Sequence, residues 1–434
     1  MSEIKYSGTL LAVDLKNFAY IMEVIMKILF INKFLYQKGG SETYLFNLAD
    51  YLKAQGHSID YFGMQDDRNI AKNSLELSVS NMEFKGSSID KVLYPFKIIY
   101  SQEARKKIKA VLKAAKPDII HLNNYNFQIT PSILYEIKNY NIPVVMTLHD
   151  FQVVCPNHMM YLASQNKICE ECKGRKYINC AKNKCIHNSR LKSMLAAFEG
   201  AVYYSLQTYE KYIDLFIAPS SFIKNKFVEF GESESKIKVL HNFTNNSPKE
   251  YTANKQKYIL YFGRLSAEKG INTLIKSCKK LPHIQFKFVG SGELEDRLKG
   301  TGNIEYLGFK SGEELNSLIR EALFSVYPSE WYENCPMSVL ESQMYGTPVI
   351  GADIGGIPEL IRNNIDGLLF TPGNAEDLTS KIGYLYENSE VLGQFSINCM
   401  NKAKDFSIEK YYTQLMKYYD MTMEKHKGGM VMSG

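Results

Sequence analysis

Two kinds of hydrophobic pattern alternate along this chain. Short runs apolar at nearly every position, among them Ile28–Ile31, Ile59–Phe62, Pro117–Leu122, Pro143–Leu148 and Tyr258–Phe262, fit parallel strands buried on both faces. Longer segments carry apolar residues three and four apart: Leu45, Leu48, Ala49 and Leu52 form one stripe, Leu340 and Met344 another. Strands alternating with helices predict a parallel sheet covered on both sides. The alternation runs twice, over residues 26–243 and 257–405, with the polar stretch 244–256, rich in Asn, Ser and Lys, as linker. In the first part, Tyr212–Ser221 reads as the last strand, followed by a helix through Phe230. In the second, the expected strands lie at Phe286–Gly290, Ile304–Gly308, Phe324–Pro328, Val349–Ala352 and Asp366–Phe370, with helices beginning at Gly290–Glu293 and after Asp377. Residues 406–425 read as a terminal helix, and residues 1–25, ahead of the first strand, as an extension outside the core.

One stretch combines this pattern with candidate chemistry. Between Pro328 and Pro348 stand two acids, Glu333 and Glu341, with a helix start between them. Pro336 suits the first helical position, Asn334 or Cys335 can cap it, and Gly346 with Pro348 supplies the stop. Glu333 then sits in the loop before the helix and Glu341 inside it, about 7–8 Å along the axis from Pro336 at roughly 1.5 Å per residue. The unpaired amides between them favour an anion. That span suits a ligand with a sugar at one end, phosphates in the middle and a ribose beyond. A capped surface helix with two solvated acids is the plain alternative. At the other end of the chain, Gly39 and Gly40 follow the first strand, where backbone amides approach a phosphate without a Cβ in the way; a plain turn is the alternative. His149 and Asp150 stand at the C-terminal end of a strand, where ligands bind in open α/β sheets.

Composition narrows the classes. The 434 residues imply two or three domains, and 45% apolar with 23% charged residues is an ordinary globular composition. Net charge is +6 from 52 basic and 46 acidic residues, too slight to argue for nucleic acid but compatible with anionic ligands or an anionic membrane surface. No run approaches about twenty apolar residues, and Glu3, Asp14 and Glu23 break any signal-peptide pattern, so a cytoplasmic protein is expected. In that compartment disulfides are not expected, and eight cysteines need another explanation. Five of them, Cys155, Cys169, Cys172, Cys180 and Cys185, crowd an insert at 155–188 interspersed with lysine and arginine. The Cys-x2-Cys pair with two further thiols leaves a structural zinc site open beside a packing or redox role. The basic helix Ala104–Lys116 reads as a solvated face, with contact to anionic lipid headgroups as its second reading.

Three motifs together carry a family resemblance: Tyr258-Ile-Leu-Tyr-Phe-Gly-Arg-Leu-Ser-Ala-Glu-Lys-Gly270, the two glutamates seven residues apart with Gly-Thr-Pro-Val-Ile behind them, and the Gly-Gly loop. From Met26 onward the chain resembles the family 4 (group 1) retaining glycosyltransferases of bacterial surface-polysaccharide type. The resemblance implies the GT-B fold: two Rossmann-like doubly wound α/β domains facing across a cleft, the first on the acceptor side and the second binding a nucleotide sugar, with the terminal helix crossing back. It implies transfer of a sugar, with retained configuration, from a nucleotide-diphosphate sugar to a glycan or lipid-linked acceptor, with peripheral contact to the inner membrane face. In the implied roles Glu333 contacts the donor-sugar hydroxyls, Glu341 the ribose, and His149 donates a positioning hydrogen bond near the sugar. No Asp-x-Asp occurs in the chain. Arg264 and Lys269, a fork and a point charge, can then take the diphosphate in place of a metal, and no cofactor is required. The competing readings are an epimerase or hydrolase of the same fold, or a catalytically silent protein whose zinc knuckle engages nucleic acid.

Overall fold

The computed structural model describes residues 25–81, 99–127, 129–244 and 255–431. Nearly all of the expected N-terminal extension and most of the expected linker lie outside these residues. The first sheet is built from β1 (Lys27–Ile31), β2 (Ser58–Phe62), β3 (Ile119–Leu122), β4 (Val144–Thr147), β7 (Leu215–Ala218) and β8 (Ile237–Val239), in the order β2-β1-β3-β4-β7-β8. Between β4 and β7 a two-residue-per-strand hairpin, β5 (Tyr161–Leu162) and β6 (Lys167–Ile168), belongs to the cysteine insert. The second sheet joins β9 (Tyr258–Phe262), β10 (Gln285–Val289), β11 (Ile304–Tyr306), β12 (Phe324–Tyr327), β13 (Val349–Ala352) and β14 (Gly367–Phe370), in the order β11-β10-β9-β12-β13-β14. Every pairing within the two large sheets is parallel. The central strands are buried along their full length, which is why they read as unbroken apolar runs.

Two expectations are corrected. The strand at 212–221 is not the last of its sheet: β8 pairs beside β7, and the segment expected to run straight into the linker first adds an edge strand. No helix starts at Gly290–Glu293. There the backbone bonds to the preceding loop instead, Leu265 N–H donating to Ser291 O and Leu294 N–H to Leu265 O, so only a short 3-10 turn, Glu295–Leu298, follows.

The terminal helix, Ile408–Val431, packs on the first sheet although it follows the second. Its buried Tyr411, Tyr412, Leu415 and Tyr419 join the core around Phe30, Tyr44 and Val145. Three of these tyrosines have hydroxyls that need partners in an apolar setting. Tyr411 meets the Tyr44 hydroxyl, Tyr412 lies 3.0 Å from His57 Nε2, and Tyr419 lies 2.6 Å from His121 Nδ1. The chain therefore crosses between the halves at two places, and these adjoin: Thr244 and Ser407 form an isolated parallel bridge, with Thr244 N–H bonded to Phe406 O at 2.8 Å. Beside this crossing, Glu359 of the second half lies 2.9 Å from His241 Nε2 and accepts the Ser221 and Phe222 amides, at 2.8 and 2.7 Å, at the start of the helix Ser221–Glu229 in the first. A carboxylate at that end completes unpaired donors and meets the positive end of the helix dipole.

Candidate active site

Between the C-terminal strand ends of the two sheets lies a cleft of about 900 Å³. Gly39, Gly40, His149, Arg264, Lys269, Glu333 and Glu341 all line it. Topology explains the convergence. Gly39 and Gly40 follow β1 and open the helix Gly40–Ala54, His149 follows β4, Arg264 and Lys269 follow β9, and Glu333 follows β12. The helix carrying Glu341 is Met337–Met344, shorter at its start than expected: Pro336 is its cap, not its first residue, with ψ of 120° outside the helical range.

Glu333 is the most elaborately held of these side chains. It is buried, and its Oε1 accepts three bonds: from Lys269 Nζ at 2.7 Å, Ser329 Oγ at 2.7 Å and Trp331 Nε1 at 2.5 Å. Burial acts to raise its pKa, but the Lys269 charge and these donors win, holding the carboxyl below the ordinary range. Its backbone is fixed as well, the carbonyl accepting Gly356 N–H at 2.8 Å. One carboxylate oxygen is thus anchored to the protein, and all three side-chain bonds described fall on it. Lys269 also reaches the Tyr327 hydroxyl at 3.1 Å.

The cations are not bare. Lys269 is paired to Glu333, and Arg264, itself exposed, bonds Glu268 at 2.6 Å, which in turn accepts Ser266 Oγ at 2.7 Å. The sequence reading aimed both at a diphosphate without foreseeing these partners. The pairing holds each head group at the cleft wall, so an arriving anion meets oriented charges and not mobile ones.

His149 Nε2 lies 2.8 Å from Asn123 Oδ1. Burial drives its pKa to about 3, so the ring is neutral at physiological pH. One ring nitrogen is thereby engaged by Asn123 and the other is left for a ligand. Glu341 has no hydrogen-bond partner among the described residues, and burial pushes its carboxyl up to about 7. Asp150, also lining the cleft, is pushed to about 7 by the same cause. Both acids therefore titrate near neutrality.

Among the described residues no three His, Cys, Asp or Glu side chains are gathered as a metal ion requires. All five cysteines of the insert are free thiols, and Cys172 and Cys180 pack in a small apolar cluster with Tyr177 and Ala197. A Cys-x2-Cys pair looks alike in sequence whether its thiols face a metal or a small core. The insert also reaches the second half: Asn166 Nδ2 bonds Glu330 at 3.1 Å, and Glu170 accepts the Tyr332 hydroxyl at 2.6 Å. The basic helix Gln102–Ala115 buries Ile108, Val111 and Leu112, and Arg105, Lys107 and Lys109 are ion-paired to Glu136 or Glu103.

Sequence reasoning passed over several residues of the cleft. Trp331 and Ser329 orient Glu333, Asn334 Nδ2 donates across the cleft to the His149 carbonyl, and the exposed Phe309 stands in the wall beside Lys310. Ser329 and Trp331 flank Glu333 in sequence, so the cluster Pro-Ser-Glu-Trp-Tyr-Glu was itself a signal. Phe309 follows a short strand with no motif to mark it.

Residues 38–247 match the family model described as Glycosyltransferase Family 4, and residues 242–402 that described as Glycosyl transferases group 1. A 42.6 kDa protein of the cps region of Klebsiella pneumoniae is 24% identical over 358 residues, covering 78% of this chain and 88% of that protein. The amylovoran biosynthesis glycosyltransferase AmsK of Erwinia amylovora is 32% identical over 138 residues, 28% of this chain and 34% of that one. Among solved structures, Anabaena Alr3699/HepE in complex with UDP and glucose superposes with a TM-score of 0.64 at 19% identity, covering 91% of this chain and all of that one. At that identity the likeness establishes the architecture, the two-sheet GT-B fold.

Proposed function

We propose that this chain, which belongs to the group 1 glycosyltransferases, transfers a sugar with retained anomeric configuration from a nucleotide-diphosphate sugar to a glycan or lipid-linked acceptor in surface-polysaccharide assembly. One observation carries the reading: a single cleft gathers an anchored carboxylate, two oriented cations and a second carboxylate, the kinds of group that a sugar, a diphosphate and a ribose call for. Residues 26–243 are assigned to the acceptor side and 257–405 to the donor. The leaving diphosphate gains charge as the anomeric bond breaks; Arg264, Lys269 and the amides after Gly39 and Pro336 stabilise it. The unanchored oxygen of Glu333 accepts donor-sugar hydroxyls, and Glu341 the ribose hydroxyls. The acceptor attacks on the leaving-group face and a phosphate oxygen takes its proton, so Glu333 need not become a nucleophile, unlike the second carboxylate of a retaining glycosidase. We place the enzyme in the cytoplasm, at the inner membrane face; no helix among the described residues is long and apolar enough to cross a membrane. A panel of nucleotide sugars, UDP-sugars first, tested with bacterial lipid extract and read by NMR of the product anomer, decides the matter. An inverted product would overturn the mechanism, and no nucleotide binding at all would overturn the assignment.

Two expected results belong here. Transfer should survive extensive EDTA treatment, because the charge a divalent ion would supply comes from Arg264 and Lys269. Loss of activity restored only by magnesium or manganese would contradict this. The two glutamates should also fail differently. Glu333→Gln is expected to lower turnover with UDP binding nearly intact, whereas Glu341→Ala should weaken UDP about ten- to a hundredfold, the worth of a charged hydrogen bond of roughly 1.5–3 kcal/mol. Because the free Glu341 carboxyl sits at about 7 and the ribose needs its ionised form, affinity should be flat above that pH and fall below it. Calorimetry across pH measures this; a wild-type profile as flat as that of Glu341→Gln would remove Glu341 from the ribose.

A further inference from the structure

The helix Arg190–Ser205, which follows the cysteine insert, is built inside out. It buries Ser193, Ala196 and Ala197, while Leu191 at 69% exposure, Met194 at 52% and Phe198 at 59% stand in solvent. Spacings of three and four place these three on one stripe, opposite the small residues. The helix Ile178–Lys182 packs alongside and adds an exposed Ile178, and Leu206 follows the helix end, also exposed. Three large apolar side chains on one exposed stripe, over a first half whose buried residues are small, depart from the order that water imposes on a surface helix.

The charge around this stripe is mainly positive, with Glu171 as an exposed acid beside it. From Cys172 to Phe198 the chain carries seven Lys and Arg and no Asp or Glu, more positive charge than the net +6 of the whole protein. Lys173 and Arg175 are paired to Glu229 and Glu232. The other five, Lys176, Lys182, Lys184, Arg190 and Lys192, are exposed and have no ion pair among the described residues. The buried side of the same helix faces the chemistry: Glu199 and Tyr203 line a small cavity that shares His158 with the cleft.

We infer that the face formed by Leu191, Met194 and Phe198 with its rim of cations docks on an anionic phospholipid bilayer, the apolar stripe entering the headgroup boundary and the cations meeting lipid phosphates. One helix then separates the membrane from a small cavity that shares His158 with the cleft. This surface, and not the ion-paired helix Gln102–Ala115, is the membrane contact. The inference rests on the lipid-linked form of the proposed acceptor for its purpose, but its test is separate: vesicle binding reports this face, UDP binding the cleft.

The full chain should co-sediment with phosphatidylcholine vesicles containing one-quarter phosphatidylglycerol, far less with pure phosphatidylcholine, and less as salt rises. Replacing Lys184, Arg190 and Lys192 together by Gln should lower the partition about a hundredfold, near fivefold per cation at about 1 kcal/mol each. The exchange Leu191→Asp with Phe198→Asp should abolish it. Both positions are exposed, so melting temperature and UDP affinity should stay at wild-type values. Wild-type protein that ignores anionic vesicles would overturn the inference. So would unchanged binding in both variants, which would move the anchor to another segment. A wild-type dimer in sedimentation that the aspartates convert to monomer, without vesicle binding, would assign the face to a second copy of this chain.

Discussion

Lys269→Ala is expected to reduce transfer at least a hundredfold and to destabilise the fold by about 3–5 kcal/mol, the loss measured when one partner of a buried ion pair is removed. The reason lies in the double use of this side chain. Its ammonium, 2.7 Å from Glu333 Oε1, is what keeps a carboxylate ionised in a buried place, and it faces the cleft where the leaving phosphate would lie. Without it the burial penalty on Glu333 is opposed only by Ser329 and Trp331. The pH dependence should therefore invert. In the wild type the lowered Glu333 pKa gives stability that is present at neutral pH and lost as pH falls through it. In Lys269→Ala the carboxyl is raised, so the variant should regain stability on mild acidification. Pairing Lys269→Met with Glu333→Gln removes both charges and should restore much of the melting temperature but none of the activity. A double variant no more stable than Lys269→Ala would mean that the ion pair is not what the fold relies on.

Gly270→Ala should be more damaging still, leaving little soluble protein. Gly270 ends the turn carrying Lys269 and begins the helix Ile271–Lys280 with φ of 73°, a conformation costing other residues roughly 1–2 kcal/mol. A Cβ there would lie 1.7 Å from the Pro328 carbonyl oxygen, so either the Lys269 turn or the loop leading to Glu333 must move. Gly56→Ala is the control. It has a similar positive φ of 93° but nothing within 4 Å of the added carbon, so only the backbone cost should appear. Calorimetric melting of the two variants separates conformation from collision; equal losses would show that the close approach to Pro328 is tolerated.

The parts of this molecule that could be read from its sequence are those set by local pattern. Buried parallel strands announce themselves as unbroken apolar runs, and most of the cleft residues foreseen lie in the loops that follow one, so His149, Arg264 and Glu333 could be placed before the sheets were known. The order of sheet strands, and the pairing of Lys269 with Glu333 across 64 residues, depend on tertiary packing that no local signal encodes. Strand β8 escaped because three edge residues carry little pattern. The helix expected at Gly290 failed for a related reason: the backbone there spends its hydrogen bonds on Leu265, a partner invisible in a linear reading. The Cys-x2-Cys spacing left two readings open because it is the same whether the thiols hold a metal or pack against one another.

The adjoining crossings at Thr244 and Ser407 have a mechanical consequence. Two bodies tied at distant points are locked, but two bodies tied along one line can swing, as a door does. Here both passages of the chain run through one bridge, and the terminal helix travels with the first body. The two walls of the cleft can therefore part by rotation about a single axis, with neither sheet deformed. Such a swing has to break the ties that join the insert to the second half, Tyr332 on Glu170 and Asn166 on Glu330.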